Sequence, residues 1–326
     1  MGKIDVHCHL YPQDYWKEIL KISEGNSLPV DVQRIITYYS KKGVLITPEE
    51  SAEVASKAGI ETQLLGLSIP NVYMADALMS RDLAQMANDA YAGIRQKFPG
   101  KFLVLASVPL NFTDLAIAEL DRTIGKLKMN GVVLGTSIAG RPLSSPEFFP
   151  FYERVNELRV PIVIHPMSPP QTDVDDEFFV TPLVGYLFET TAAVAKMVFA
   201  GIFERFPNIP LILPHLGGAI PYIQGRLDSG YRNHPPCRKN ISRPPSQYFK
   251  EFYYDSVSFN VAALRCAMEV AGPEHLVFGT DFPFQPLESI RLINESIDAL
   301  GLAPAALEGV ESRNVLRILL NTKLPS

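Results

Sequence analysis

The sequence predicts an α/β chain folded as a distorted (β/α)8 TIM barrel with a small insertion between its first two strands. Three observations carry that prediction. Eight short apolar runs recur along the 326 residues, helix-like segments fill most of the intervals, and four of the six histidines fall at the ends of the runs. Alternation of strand and helix marks a parallel sheet covered by helices, and eight alternations suit a closed barrel. A doubly wound open sheet is the rival topology.

The runs are KIDVHCH (3–9), ETQLLGLSI (61–69), KFLVLASV (101–108), GVVLGTS (131–137), VPIVIHP (160–166), IPLILPH (209–215), EFYYDSV (251–257) and HLVFGTDF (275–282). None alternates strictly between apolar and polar, as expected of strands buried on both faces. Between them, segment 111–128 places apolar residues at 115, 117, 120, 124 and 127, a helical stripe. Segment 144–159 opens with Ser145 as an N-cap and Pro146 at the first helical position. The longest apolar stretch, 185–203, contains Glu189 and Lys196 and reads as a buried helix rather than a membrane span.

Two regions exceed a minimal barrel. Residues 11–59 hold the only tryptophan, Trp16, then RIITYYSKKGVLI (34–46), which reads as a small hairpin, then a helix over 47–59. Residues 231–252, rich in proline and arginine, read as a long loop after the sixth strand, and such loops are commonly lids or contact surfaces. The expected organisation is one domain, 1–326, with 11–59 as an insertion or lid.

Composition narrows the function class. The net charge of −5 and the lack of basic runs give no electrostatic footprint for nucleic acid or an anionic membrane. Cys8, Cys237 and Cys266 are odd in number and dispersed, which argues against a disulfide framework. Lys3 and Asp5 interrupt any apolar leader core, so the expectation is a soluble, cytoplasmic protein.

Active sites of such barrels lie where the strands end. His7 and His9 end the first run, His165 the fifth, His215 the sixth and Asp281 the eighth, whereas His234 and His275 lie elsewhere. Side chains two apart on a strand share a face, so His7 and His9 can grip one ion while Cys8 points the other way, as a buried structural thiol. A lone histidine on an apolar strand is usually a core residue; two at this spacing, with two more at other strand ends, favour a metal. Imidazole and carboxylate donors suit Zn²⁺ best, with Mn²⁺, Fe²⁺ and Co²⁺ compatible. Asp281 reads as a ligand or acid–base group rather than a loop cap. Asp255, ending the seventh run, reads either as a partner that orients a histidine or as a simple loop residue.

Taken together, DVHCHL (5–10), IVIHP (162–166), LPHLGGAIPYIQGR (213–226) and VFGTDFPF (277–284) resemble the amidohydrolase superfamily. The resemblance is to the branch containing α-amino-β-carboxymuconate-ε-semialdehyde decarboxylase and related non-oxidative decarboxylases. It extends through 131–143, 182–209 and 312–319, and so over most of the chain from residue 60. It implies His7, His9, His165 and Asp281 as ligands of one divalent metal, usually zinc, and His215 as the acid–base residue. Hydrolytic relatives hold two metals through a carbamylated lysine at the end of the fourth strand; GVVLGTS has no lysine, which favours a single metal. Arg226 matches a position that reaches the neighbouring subunit's substrate carboxylate, which implies a homodimer. The branch also carries a substrate-binding arginine in the insertion, where this chain offers Arg34, Lys41 and Lys42, and a lysine cannot copy a bidentate arginine.

The expected activity is metal-dependent, O2-independent decarboxylation of an unsaturated or aromatic (phenolic or enol) carboxylic acid. In it, His215 acts as base and Asp281 or protonated His215 returns a proton to carbon. The rival is hydrolysis of a lactone, ester or amide by the same metal site. A catalytically silent scaffold would be expected to have lost a ligand, and none is missing.

Overall fold

The computed structural model describes residues 2–25, 28, 30–167 and 178–325. Its main sheet is parallel and runs β1 (Lys3–His9), β2 (Ile60–Gly66), β3 (Phe102–Ser107), β4 (Gly131–Gly135), β7 (Ile162–His165), β8 (Leu211–Leu213) and β9 (Tyr253–Tyr254), in that order. Two short strands after β4, β5 (Ser137–Ile138) and β6 (Arg141–Pro142), form a separate antiparallel hairpin. The eighth run is not a continuous strand, yet it closes the ring. On one side the Val6 and His9 amides donate to the Phe278 and Phe282 carbonyls at 2.9 and 2.8 Å; on the other Val277 N donates to Tyr254 O at 2.9 Å. The distortion sits at Asp281, whose φ of 62° leaves the extended region.

Helices cover the outside: α4 (Ala77–Lys97), α5 (Thr113–Gly125), α6 (Phe149–Leu158), α7 (Tyr186–Phe199), α9 (Ile220–Asn233), α11 (Val261–Ala271) and α12 (Leu287–Asp298). Ser145 stands at the predicted cap, but the first turn there is a 3-10 turn and its side chain makes no capping bond. The predicted loop 231–252 is partly helical: α9 runs on to Asn233, a 3-10 turn follows at Pro235–Arg238, and α10 covers Pro245–Phe249.

The insertion departs most from expectation. Residues 34–46 do not form a hairpin; 34–42 lie in α2 (Val30–Lys42), between α1 (Gln13–Glu24) and α3 (Pro48–Lys57), and 43–46 belong to the link from α2 to α3. The reason is spacing. Ile36 and Tyr39, one helical turn apart, both bury, and Gly43 at φ 68° ends the helix instead of turning a hairpin. Tyr15, Trp16, Ile19, Ile36 and Tyr39 join the same core as the strand–helix layer.

Inside the barrel, Ile4, Val6, Leu64, Leu105, Val133, Val163, Ile212 and Val277 form one apolar layer, closed at the N-terminal ends of the strands by Val315 and Ile318 of α14 (Asn314–Leu319). Burying each such side chain stabilises the fold by about 1.5–3 kcal/mol. Nearer the C-terminal ends, the same alternation brings His165 and Asp255 to the axis, where Asp281 joins them from the irregular eighth segment.

Candidate metal centre and active site

The orientation of His7 and His9 depends on a break in β1. Ile4 and Val6 face the barrel interior, and unbroken alternation would then send Cys8 inward and both histidines outward. The pairing slips instead: Asp5 faces Gln63 but Cys8 faces Leu65, so three residues advance against two. A bulge of this kind re-aims the side chains that follow it. Past it, Cys8 joins the outer core and His7 and His9 turn to the axis. Asp5, which the sequence reading did not single out, braces the bulge: its carboxylate accepts from His7 N (3.1 Å), Cys8 Sγ (2.7 Å), Thr280 N (3.0 Å) and Thr280 Oγ1 (2.5 Å). Burial pushes the Asp5 pKa up to about 6 against the pull of those donors.

His7, His9, His165 and Asp281 each offer one donor atom, all within 4.8 Å of one another, and all four residues are buried. Each imidazole is oriented by its far nitrogen. His7 Nδ1 donates to Asp255 Oδ2 (2.6 Å), His9 Nδ1 to Gly66 O (3.1 Å) and His165 Nδ1 to Pro166 O (2.8 Å). These bonds turn the three Nε2 atoms inward, the usual backing of a metal-bound histidine. His7 Nε2 and His9 Nε2 lie 3.2 and 3.3 Å from Asp281 Oδ1. The contacts are close, but none has hydrogen-bond geometry, so the three atoms are buried without a partner among the described residues. Buried polar atoms are otherwise nearly always satisfied. Three of them converging, with His165 beside them, fit a divalent cation.

The electrostatics agree. Burial alone would lower the His7 pKa, but the Asp281 and Asp255 carboxylates raise it to about 10. Burial opposes ionisation of Asp281, yet His7, His215 and His9 hold it well below the usual carboxylate range. Burial and the charge on His7 keep His9 low, and burial, aided by His9 and His7, keeps His165 lower still.

Asp255 resolves as an orienting residue and does more than back His7. Its Oδ2 also accepts from His215 N at 3.0 Å, while Oδ1 accepts from Leu216 N (2.8 Å) and Val257 N (3.1 Å). These bonds hold a turn in which His215, Leu216, Gly217 and Gly218 all have positive φ. Non-glycine residues in that region are sparse and cluster where surrounding structure enforces them. The turn presents His215 Nε2 at 3.6 Å from Asp281 Oδ2. At Gly279 a Cβ would lie 3.0 Å from Asp255 Cβ and 3.1 Å from His7 Cβ, so any larger residue would press the pair apart by a few tenths of an ångström.

Cys8 is buried behind the ligands. Arg226 is not part of the cluster: it is exposed on α9 and has no ion pair among the described residues. Arg34 and Lys41 lie on the exposed side of α2, and the side chain of Lys42 falls outside the described residues. Unanticipated from sequence is an aromatic wall at the mouth, in which Phe284 packs 5.2 Å from His9 and stacks on Tyr39 at 4.9 Å. Also unanticipated is Glu189, a buried acid accepting from Thr136 Oγ1 (2.6 Å) and Met167 N (3.1 Å), which ties the loops after β4 and β7 to α7.

A barrel with three imidazoles and a carboxylate gathered at its C-terminal rim defines a class, the barrel proteins whose strand ends carry a donor set able to hold a metal ion. The chain belongs to the amidohydrolase family, whose Amidohydro_2 model matches residues 4–319. It is 28% identical to the 2-amino-3-carboxymuconate-6-semialdehyde decarboxylase of Dictyostelium discoideum, over 94% of this chain and 90% of that protein. A crystal structure of 2,6-dihydroxybenzoate decarboxylase complexed with 2,6-dihydroxybenzoate superposes with a TM-score of 0.81 at 25% identity, covering 98% of this chain and 99% of that one. The dihydroxybenzoic acid decarboxylase of Polaromonas sp. JS666, with bound manganese and the inhibitor 2-nitroresorcinol, has a TM-score of 0.80 at 23% identity, covering 98% and 97%.

Proposed function

We propose that this chain is a metal-dependent, O2-independent decarboxylase of an aromatic or enol carboxylic acid. The observation that carries the reading is the convergence of the partnerless His7 Nε2, His9 Nε2 and Asp281 Oδ1 beside His165, with His215 held against Asp281. Its relatives act on carboxylated rings and semialdehydes, which favours decarboxylation over hydrolysis.

His7, His9, His165 and Asp281 would hold one divalent ion, zinc by donor chemistry, with the manganese of the Polaromonas relative as the rival. Such an ion supplies positive charge that binds and polarises a substrate oxygen. The remaining work falls to the side chains. The Asp281–His215 pair holds the proton and delivers it to the carbon bearing the carboxylate. The bond from that carbon to the carboxylate then breaks, CO2 leaves, and the bonding electrons return to the ring. Proton in and CO2 out balance the equation without an oxidant. Phe284 and Tyr39 set the plane of the ring.

The finer expectations extend the same reading. Arg226, exposed and with no ion pair among the described residues, would grip a substrate carboxylate in the neighbouring subunit of a homodimer. The exposed Leu183, Phe188 and Tyr222 support a covered face on that side. Residues 11–59 would form the lid over the mouth, since Tyr39 already meets Phe284. A cytoplasmic location is part of this reading; no described helix is long and apolar enough to cross a membrane.

The test is direct. Protein loaded with zinc or manganese is given phenolic, enol and muconate-type acids, and CO2 release is followed beside lactone, ester and amide hydrolysis. CO2 release is expected; hydrolysis without CO2 would overturn the proposal. His215→Asn should abolish turnover and keep its metal, whereas loss of metal would make His215 a ligand.

A further inference from the structure

We propose that Asp5 is a positioning residue for the metal centre, setting through Thr280 the spacing between the His7–His9 pair and Asp281. This rests on the metal-dependent reading above and concerns what fixes the donors rather than what they bind.

Those donors come from opposite ends of the chain, and the Asp5 carboxylate joins the two ends. His7 and His9 flank the β1 bulge at Cys8, and Asp281 follows Thr280 in the irregular eighth segment. Asp5 Oδ1 accepts one amide from each side, His7 N at 3.1 Å and Thr280 N at 3.0 Å. Oδ2 accepts one side-chain proton from each, Cys8 Sγ at 2.7 Å and Thr280 Oγ1 at 2.5 Å. Beside this junction Asp281 N donates to His7 O at 2.8 Å, which bonds two of the four ligand residues directly. Asp255 aims the His7 ring, whereas Asp5 holds the backbone from which that ring, His9 and Asp281 project.

Proton accounting makes a carboxylate the fitting group here. Four donors converge on one side chain, and an ionised carboxylate offers about four acceptor sites and no proton of its own. Cys8 Sγ and Thr280 Oγ1 lie 3.9 Å apart, with both protons given to Asp5. Each then accepts in turn: Cys8 from Gln63 Nε2 at 3.4 Å and Thr280 from Phe282 N at 3.2 Å. Gln63 Oε1 accepts from Ser51 Oγ at 2.9 Å, which carries the network to insertion helix α3. Asp5, Cys8, Ser51, Gln63 and Thr280 are all buried. A buried network satisfied throughout holds its members rigidly, and removing an acceptor leaves donors facing one another. Cys8 is thus a donor to the positioning carboxylate as well as a spacer.

The experiment loads wild type and variants with Co²⁺, whose visible absorption reports the geometry of its donors, and measures affinity by competition with a chelating dye. Asp5→Asn keeps Oδ1 for the two amides but turns an NH2 group toward the Cys8 and Thr280 protons. Its Co²⁺ affinity should fall about 10–100-fold, and its absorption bands should change. Cys8→Ala should move both readouts the same way by a smaller factor, and Cys8→Ser, which restores a donor, should return them toward wild type. That pair decides the matter if Asp5→Asn does not fold. A merely structural carboxylate would lower the Tm of the metal-free variants while Co²⁺ affinity or absorption stayed at the wild-type value; either constancy overturns the proposal. If wild type binds no Co²⁺, or His9→Ala binds it undiminished, the metal-centre reading fails and this inference with it. One ion bound in wild type and bound identically in the Asp5 and Cys8 variants overturns this inference alone.

Discussion

The two ends of the barrel are made from the same eight segments and have opposite chemistry. At the N-terminal end, Ile4, Leu64, Leu105, Val133 and their neighbours meet Val315 and Ile318 in a dry plug, with Lys3 bonded outside to Asn294 and Glu311. At the C-terminal end, a step or two along, the inward positions hold His7, His9, His165, Asp255 and Asp281. One end gathers atoms that satisfy each other, the other gathers atoms that lack partners. The lesson is that alternation supplies both, and that small departures from it, the β1 bulge and the left-handed Asp281 and His215, convert packing into a site.

Breaking the comparison at the C-terminal end should give the largest effect. His9→Ala removes one of four donors, and the expected outcome is loss of bound metal by elemental analysis and of CO2 release, with circular dichroism unchanged. Asp255→Asn keeps every donor but weakens the orientation of His7 and of the His215 turn; metal affinity should fall about 10–100-fold, read by competition with a chelating dye.

Ile318→Ala strikes the other end. It should cost about 2–5 kcal/mol of stability in denaturant unfolding, as a cavity in a packed core does, and leave metal affinity and kcat/KM unchanged. A fall in metal affinity would show that the two ends are coupled.

The smallest effect belongs to His275, beside the N-terminal end, where its Nδ1 donates to Phe252 O at 3.1 Å. Burial holds its pKa below the ordinary imidazole value of about 6.5. The unfolded chain therefore takes the proton first, so its contribution is intact above pH 6.5 and declines as pH falls below it. His275→Gln should shrink the drop in Tm between pH 7.5 and 5.5 slightly and leave metal content alone.

How far the sequence reached follows the same division. The strands, the shared face of His7 and His9, and the convergence of His165, His215 and Asp281 were legible because strand ends map onto one rim. Cys8 was legible as a spacer for the same reason, although the bulge that makes it one was not, since a register slip leaves no mark in one strand alone. Helix α2 was misread because its β-branched and aromatic residues and Gly43 also suit a hairpin; burial of Ile36 and Tyr39 against distant residues decided the outcome. Tyr39 was missed because its partner, Phe284, lies far along the chain. The eighth segment was placed correctly, but its irregularity belongs to the backbone of Asp281.

The central claim, one ion held by four named donors, is tested most directly by anomalous diffraction at the metal absorption edge on crystals of the metal-loaded protein. A single peak is expected among His7 Nε2, His9 Nε2, His165 Nε2 and Asp281, at about 2.0–2.2 Å from each. Two peaks, a peak bound through His215 in place of one of the four, or none in the barrel mouth would contradict it.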